Sequence, residues 1–244
     1  MSGNIFSILN ILGGEAGRQT ALILARTFSE KLKKRTVYIP AGITFDDTGI
    51  ESLTELYFDF LKEKEFRFDK TENLIIIKPF NCFAEFMEID DNTYLRFISS
   101  ISELFDISVV NMENLPSRML LHFMENSMTT AAVIDCGQND YASGTENFMK
   151  NLKLLWGNFL PDHLDRFIFI INKGNESEKL LVNDILLRES TCENYDFINK
   201  IYFMENNFLS RKTLFNNKQN KKVFNGFNMP KNISRKKERL PNAK

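Results

Sequence analysis

The residues best suited to chemistry lie in the run from Leu12 to Thr20, which contains Gly13, Gly14, Gly17 and Arg18. An apolar stretch precedes this run and a helical pattern follows it. A glycine-rich turn between a strand and a helix can bind phosphate, because its backbone N–H groups converge and the helix N-terminus carries positive potential. The run therefore predicts a phosphate-binding loop, although a tight strand-to-helix turn would use the same glycines.

Short apolar runs alternate with helical patterns along the chain, and several of these runs are continuous, as in strands covered on both faces. We expect an α/β fold with a mostly parallel twisted sheet of about seven strands and helices on both faces. The predicted strands are Ile5–Ile11, Thr36–Ile39, Leu74–Lys78, Ile107–Val110, Ala131–Asp135, Phe167–Ile171 and Lys200–Phe203. The predicted helices are Thr20–Lys33, Ile50–Lys64, Thr93–Leu104, Pro116–Asn126, Gly144–Phe159 and Ser177–Glu189.

Charge is distributed unevenly over the 244 residues. The net charge is −1, but the segment from Arg211 to Lys244 carries +10, so residues 1–210 carry −11. This segment is rich in Asn and poor in branched apolar residues, which is typical of disorder. We expect one α/β domain over residues 1–210 and a basic, disordered tail over residues 211–244.

Several classes of protein are disfavoured by composition. No run of about 18 apolar residues is present, and the N-terminus lacks a secretory pattern, so we expect a cytoplasmic protein. The three cysteines are isolated, which predicts free thiols rather than a disulfide framework. The two histidines have no metal-ligand partners at useful spacing, and we interpret Asp135 and Asp140 as ordinary loop acids, so no metal site is predicted.

The glycine run resembles the ParA/MinD-type ATPases, the deviant Walker-A branch of P-loop proteins, which includes the CpaE-like proteins of pilus-assembly loci. The loop of that family reads G-K-G-G-x-G-K-[ST]-[ST], and Gly14, Gly17 and Thr20 fall on its glycines and its last hydroxyl position. A helical pattern, a basic lead-in and the strand Thr36–Ile39 follow in the family's order. The resemblance covers roughly residues 3–205 but is specific only in the first forty.

Later strands add to the resemblance through their order. The run from Phe105 to Asn111 is similar to the family's "YDYIIVD" strand, and Ala131–Asp135 is similar to the next one. The run from Phe169 to Lys173 is similar to a strand ending in "VN[RK]", which implies that Asn172 reads the adenine edge. The resemblance implies a P-loop NTPase-like fold and ATP or ADP as cofactor, with the phosphates among Gly13, Gly14, Gly17, Arg18, Gln19 and Thr20.

Within the loop, the chain departs from the family at the positions that do chemistry. The signature Lys, which reaches across a dimer, falls on Gly13, and a family glycine falls on Glu15. The phosphate-binding Lys falls on Arg18, whose planar fork differs from a compact ammonium, and the Mg²⁺ hydroxyl falls on Gln19, a poor ligand for a hard cation. A one-residue insertion that aligns Gly13-Gly14 with the glycine pair leaves Arg18 and Gln19 in these places.

The strand ends depart from the family as well. The Asp that positions the attacking water falls on Pro40, and the Asp that holds Mg²⁺ through water falls on Asn111. Phosphoryl transfer depends on positioning and on neutralising phosphate charge, so the joint loss of these groups removes most of the stabilisation. Asp46 and Asp47 are the nearby acids that would have to compensate. We therefore expect no bound Mg²⁺, no catalytic residue and no hydrolysis.

These observations predict a bacterial pseudo-ATPase that binds nucleotide and acts as a positioning or scaffold module, for example in partitioning or pilus-assembly-type localisation. Two alternatives stay open. An active ATPase with an unusual loop would use the basic tail on DNA or membrane. A protein-interaction module on the same fold would bind no nucleotide.

The expected partners follow from the same features. We expect a protein partner, and the resemblance implies a homodimer formed through the nucleotide face. The tail mixes positive charge with Phe residues, which suits contact with nucleic acid or an anionic membrane and would place the protein peripherally at the membrane or nucleoid.

Three of these predictions have a simpler alternative. The tail would be a solvated segment without a partner. Arg18 would form an ion pair with Glu15 instead of binding phosphate, and Asn172 would be a strand-end turn residue instead of reading adenine. Among the 23 Phe residues, Phe66, Phe68, Phe80, Phe83 and Phe86 are expected in the core.

Overall fold

The computed structural model describes residues 4–42, 49–69, 71–82, 86, 88–113, 115, 117–190 and 195–204. The strands are β1 (Asn4–Asn10), β2 (Thr36–Pro40), β3 (Leu74–Ile76), β4 (Ile107–Asn111), β5 (Thr129–Asp135), β6 (Phe167–Asn172) and β7 (Ile201–Met204). They form one sheet in the order β3-β2-β4-β1-β5-β6-β7, and neighbouring strands pair in parallel. The predicted seven-stranded parallel sheet is confirmed. The predicted basic tail, residues 211–244, lies outside the described residues.

The helices are α1 (Glu15–Leu32), α2 (Leu53–Leu61), α3 (Asp91–Ser102), α4 (Ser117–Asn126), α5 (Tyr141–Trp156), α6 (Leu160–Leu164) and α7 (Glu176–Ser190). The six predicted helices are confirmed with shifted ends. The largest shift is at α1, which begins at Glu15 instead of Thr20, because the extended ψ of −179° at Gly14 ends the turn there. Helix α2 begins after Ser52, whose side chain accepts a hydrogen bond from the N–H of Glu55 at 3.2 Å.

Both faces of the sheet are covered, and successive residues of each central strand point to opposite faces. In β1, Phe6 and Ile8 belong to the core packed under α1, whereas Ile5 and Leu9 belong to the core on the other face. The Phe6 ring lies 4.9 Å from the ring of Phe28 in α1. This double burial explains why the strands are continuous apolar runs in the sequence.

The second core contains a cluster of aromatic rings, as the sequence predicted for this region. Phe68, Phe80 and Phe86 are buried there, and Phe66 is partly buried. The rings of Phe86 and Tyr94 meet edge to face at 5.4 Å. Phe83, which was expected in the same core, lies outside the described residues. Among the helices in the described ranges, none is long and apolar enough to cross a membrane.

The strand order places the glycine turn after β1 at a reversal of the chain. From β1 the chain passes to β2 and β3 on one side and returns through β4, before crossing β1 to β5, β6 and β7. In parallel sheets, ligands bind beyond the carboxyl ends of the strands at such a point. The residues that follow β1, β4, β5 and β6 therefore meet at one edge of the sheet.

Candidate functional site: the loop after β1

The turn between β1 and α1 depends on two glycines with positive φ. Gly13 has φ 74° and Gly14 has φ 89°, a region that side-chain-bearing residues rarely adopt. A β-carbon on Gly13 would meet no atom within 4 Å, so the backbone conformation and not crowding is the reason for glycine there. The sequence prediction of a glycine-dependent turn at this point is confirmed.

Asn10, the last residue of β1, forms hydrogen bonds with the backbone of this turn. Its side-chain amide donates to the carbonyl oxygen of Gly13 at 2.5 Å and to that of Gly14 at 3.1 Å. The N–H of Gly13 donates in turn to the carbonyl of Asn10 at 3.2 Å. Two of the loop's carbonyls are therefore bound to the strand end beneath them. The sequence analysis missed Asn10, although a buried polar residue ending the strand before a glycine turn is a readable signal.

Gly17 has a packing role. A β-carbon there would lie 2.8 Å from the Cβ of Asn10 and 3.2 Å from its backbone nitrogen. Gly17 is buried in the first turns of α1, which approaches β1 closely at this point. This contact supports the simpler of the two interpretations of Gly17, and its role near a phosphate stays a prediction.

Arg18 and Gln19, which occupy the places of the Lys and the Mg²⁺ hydroxyl, both bind Glu15. The Arg18 guanidinium lies 3.2 Å from the Glu15 carboxylate, and the Gln19 amide donates to the other carboxylate oxygen at 3.0 Å. The predicted ion pair of Arg18 with Glu15 is confirmed. These contacts do not fit a Mg²⁺ site, because the amide in the ligand position is engaged with an acid on its own helix.

Thr20 and Asn172 each lie beside Met204. The buried Thr20 hydroxyl contacts the Met204 sulfur at 3.5 Å, and Asn172 pairs with Met204 between β6 and β7. Asn172 is the last residue of β6, at the strand end where it was predicted. The residue is only 1% exposed. A base would reach it only after its neighbours move, so its role as an adenine reader stays a prediction.

Glu113 is the acidic residue that the sequence analysis missed. It lies two residues beyond β4 and is partly buried. Burial raises the pKa of its carboxyl, and interactions with the Asn111 side chain, the Gly14 backbone and Arg18 oppose the rise. Only the adjacency of β4 and β1 brings this residue to the loop.

The ends of β2 and β4 carry no carboxylate where the resemblance would place two. Pro40 and Asn111 are paired residues of these neighbouring strands. Asn111 is fully buried, and its Oδ1 has no hydrogen-bond partner within the described part of the chain. The substitutes named from the sequence, Asp46 and Asp47, lie outside the described residues. The two strand-end positions at which the sequence departs from the family's pattern, Pro40 and Asn111, are thus adjacent in space.

The acid that ends β5 has a local role. Asp135 accepts a hydrogen bond from the N–H of Gly137 at 3.1 Å and lies 3.7 Å from the ammonium of Lys173. A search of the described ranges for three or more His, Cys, Asp or Glu side chains able to share a metal ion finds no such group. The interpretation of Asp135 as a structural loop acid agrees with these contacts.

A cleft of about 950 Å³ lies at the opposite edge of the sheet, beside the residues that precede β2 and β4. It is lined by charged side chains of both signs and by apolar ones, among them Arg35, Glu63, Phe60 and Phe66. It is remote from the carboxyl ends of the strands, where ligands bind in parallel sheets. Cavity size therefore does not identify the candidate site, which is defined by the glycine turn and its hydrogen-bond donors.

Comparison with solved structures finds neighbours with a similar fold. A ParA family ATPase of Chlorobium tepidum aligns over 76% of this chain and 81% of its own, with a TM-score of 0.60 and 13% identity. A chain of the MinC:MinD cell division complex of Aquifex aeolicus aligns over 92% and 86%, with a TM-score of 0.54 and 12% identity. The chain has the ParA/MinD fold.

A third neighbour on this fold, a plasmid partition protein of Borrelia burgdorferi bound to AMPPNP, covers 93% of this chain and 98% of its own, with a TM-score of 0.51 and 15% identity. No protein-family model and no curated protein matches the chain. At these identities the likeness concerns the ParA/MinD fold, which confirms the resemblance at that level. The chemistry must be argued from this chain's own residues.

Proposed function

We propose that this chain is a positioning or scaffold protein that has the ParA/MinD fold and has lost ATP hydrolysis. The observation that carries this proposal is the engagement of Arg18 and Gln19 by Glu15, at 3.2 Å and 3.0 Å. The two side chains in the catalytic places of the loop thus bind an acid of their own helix. Partitioning and pilus-assembly-type localisation are the processes in which we expect it to act.

The strand ends support the same conclusion. Hydrolysis of a nucleotide needs a positioned water and cations around the transferred phosphoryl group. Pro40 has no side-chain group that could orient a water, and Asn111 is buried against Glu113 without a carboxylate. Restoring one group would leave the others missing, so we expect no single substitution to create turnover.

The loop keeps the groups that bind a phosphate without catalysis. Gly13 and Gly14 keep the positive φ that shapes the turn, and α1 contributes its positive end. A neighbour on this fold was solved with AMPPNP. We propose that ATP or ADP binds here without Mg²⁺, with the phosphates at the loop and Asn172 on the side of the base.

The proposed test is a measurement of binding and turnover on the full chain. We expect ATP and ADP at millimolar concentration to raise the melting temperature equally with and without Mg²⁺, because a ligand that binds only the native state stabilises it. We expect no ATP hydrolysis above the background of an Arg18→Ala variant. Mg²⁺-dependent turnover that Arg18→Ala abolishes would replace this proposal with an active ATPase.

A nucleotide-free interaction module is the second candidate, and Glu15 favours it, because its carboxylate binds Arg18 and Gln19 in the places where the family binds phosphate and Mg²⁺. An acid beside the loop opposes the binding of a phosphate there. Under this candidate, neither nucleotide shifts the melting temperature of the wild-type chain. In both candidates we propose a protein partner, as in the MinC:MinD complex on the same fold, and a cytoplasmic protein whose basic tail contacts a nucleic acid or an anionic membrane.

A further inference from the structure

The cleft of about 950 Å³ beside the amino ends of β2 and β4 has a lining opposite in sign to the net charge of residues 1–210, which is −11. Its charged lining consists of four cations and two acids, which are Arg35, Lys64, Arg67, Arg96, Glu63 and Glu65. We infer that this cleft binds a segment of a partner protein that presents an apolar side chain together with carboxylates. The surface would serve the protein partner of the proposed function, and the inference rests on that function only for the existence of such a partner.

Exposed apolar side chains in the cleft indicate a protein partner. Leu61, at the end of α2, is 54% exposed, and Leu104, shortly before β4, is 41% exposed. Beside them lie the rings of Phe60 and Phe66, which are packed against Phe97 of α3 at 5.6 Å and 6.2 Å. Apolar surface that is rimmed by charged residues is typical of protein interaction sites. An apolar side chain of the partner would cover the two leucines.

Arg35 is held in place at the cleft without a ligand. Its Nη1 donates to the carbonyl oxygen of Leu104 at 3.0 Å, and its guanidinium carbon lies 4.7 Å from the centre of the Phe105 ring. Its Nε is buried and has no hydrogen-bond partner in the part of the chain that the structure describes. The guanidinium therefore keeps an unused donor, and a planar guanidinium is suited to binding a carboxylate.

The other cations of the cleft differ in whether they are already paired. The ammonium of Lys64 lies 2.8 Å from the carboxylate of Asp59. Arg67 and Arg96 are exposed, and neither forms an ion pair with another residue of the described ranges. Arginine is enriched at protein interfaces, where it binds carboxylates of the partner. Arg67 and Arg96 are therefore the side chains that would pair with the acids of the bound segment.

The two acids of the cleft disfavour a polyanion as its occupant. Glu63 and Glu65 would repel the closely spaced phosphates of a nucleic acid, because like charges in contact are unfavourable. A protein segment can place its carboxylates beside the arginines and its uncharged residues beside the two glutamates. The mixed lining thus favours a protein segment of mixed acidic and apolar character.

The experiment selects peptides on the full wild-type chain from a phage-displayed library of short random sequences. The salt concentration is kept above the physiological value, which screens unspecific attraction to the basic tail. We expect the selected peptides to combine Asp or Glu with Leu or an aromatic residue. The dissociation constants of synthetic copies of these peptides are then measured by calorimetric titration against the wild-type chain and its variants.

Charge variants test the arginines. Arg67→Glu and Arg96→Glu should each raise the dissociation constants by about tenfold, because an attractive charge pair becomes a repulsive one. The matched control is Lys153→Glu, which makes the same change of charge at an exposed position of α5, outside the cleft. This control should leave the dissociation constants unchanged.

A second pair of variants tests the apolar part of the cleft. Leu61→Ser should raise the dissociation constants by at least about threefold, because it removes apolar surface that the partner would cover. Leu180→Ser, at a position of α7 that is 58% exposed, should have no effect. All of these side chains are exposed, so the variants are expected to fold and to keep the melting temperature of the wild-type chain.

The inference is overturned if no peptides are selected, if the selected peptides lack acids, or if the cleft variants bind them as the controls do. It is also overturned if the cleft variants weaken the binding of a single-stranded DNA oligonucleotide or of phosphatidylserine vesicles and leave peptide binding unchanged. Nucleotide binding and hydrolysis test the proposed function separately. If the chain binds ADP without hydrolysing ATP and no peptide depends on the cleft, the proposed nucleotide site stands and the inference fails. If peptides depend on the cleft and the chain hydrolyses ATP, the inference stands and the proposed loss of hydrolysis fails.

Discussion

A β-carbon added to Gly17 would lie 2.8 Å from the Cβ of Asn10, closer than side-chain carbons approach one another in folded proteins. Asn10 is also the residue that holds the carbonyls of Gly13 and Gly14. The approach of α1 to β1 and the shape of the glycine turn therefore depend on the same strand end. A disturbance of one should be transmitted to the other.

We predict that Gly17→Ala destabilises the protein by about 1 to 3 kcal/mol, because the added methyl group must displace the end of β1 in a packed interior. For a chain of this size, each kcal/mol corresponds to a fall of roughly 2 to 4 °C in the melting temperature. Thermal unfolding followed by circular dichroism measures this fall. Glu30→Ala, an exposed substitution on the same helix, is the matched control and should have little effect. Equal melting temperatures for the two variants would contradict the packing role of Gly17.

Much of the fold was predictable because its signals are local. The continuous apolar run of β5 is buried throughout and marked a central strand, and the positive φ of Gly13 and Gly14 matched the glycines of the turn. The start of α1 was placed late because Glu15 and Ala16 show no apolar period. Such ends depend on one backbone angle at Gly14 that no pattern reports.

The site was less predictable because its contacts join distant parts of the chain. Glu113 lies just beyond β4, which pairs with β1 although about 100 residues separate the two strands, and Thr20 contacts Met204 across 184 positions of sequence. The resemblance to known loops concerns residues 13–20, whose spacing is fixed by local geometry. It contains no signal for an acid that follows another strand, such as Glu113. By contrast, the pairing of Arg18 with Glu15 was predictable because the two residues are one helical turn apart.

The two cysteines in the described ranges should differ strongly in reactivity. Cys82 is exposed, whereas burial, together with the carboxylates of Glu178 and Asp135, raises the pKa of the Cys136 thiol to about 12. Because only the thiolate reacts, alkylation at pH 8 should label Cys82 at least about 100-fold faster than Cys136. The measurement uses Cys192→Ser chains with Cys82 or Cys136 as the single thiol.

The pH dependence of this labelling provides the check. The Cys136 rate should rise about tenfold for each pH unit between 8 and 10, since this interval lies below its pKa. In a denaturant both thiols should react alike, because the burial that raises the pKa is lost. Fast labelling of Cys136 in the native protein would show that this side of the sheet edge is open to solvent.

The Glu113 carboxyl should lower the stability of the protein at neutral pH. Burial is the main cause that raises its pKa above the ordinary value of 4.5. Below pH 4.5 the group is protonated in both the folded and the unfolded state, and it costs nothing. As the pH rises through the folded pKa, the unfolded state loses its proton first and stability falls. We predict that Glu113→Gln raises the melting temperature at pH 7 and that the gain disappears near pH 4.

Glu55 provides a control of opposite sign. Its pKa is lowered by hydrogen bonds from the backbone and side chain of Ser52 at the start of α2. Its contribution is therefore present above pH 4.5 and is lost as the pH falls through the lower folded pKa. We expect Glu55→Gln to lower the melting temperature at pH 7. Parallel pH profiles for the Glu113 and Glu55 variants would contradict both assignments.

The missing acid at the end of β4 should not be restorable alone. We predict that Asn111→Asp destabilises the protein by roughly 2 to 4 kcal/mol at pH 7, since it buries a second carboxylate beside Glu113 and removes a donor. Asn111→Asp combined with Glu113→Gln should recover about 1 to 3 kcal/mol relative to the sum of the single changes, because only one of the two neighbouring side chains is then charged. Denaturant unfolding of the four chains measures this coupling.

Asn151→Asp, an exposed substitution on α5, is the control: its effect on the free energy of unfolding should add to that of Glu113→Gln without coupling. If the free-energy changes of Asn111→Asp and Glu113→Gln were also additive, the two side chains would not interact. The family's acid could then be reintroduced at position 111 without changing Glu113.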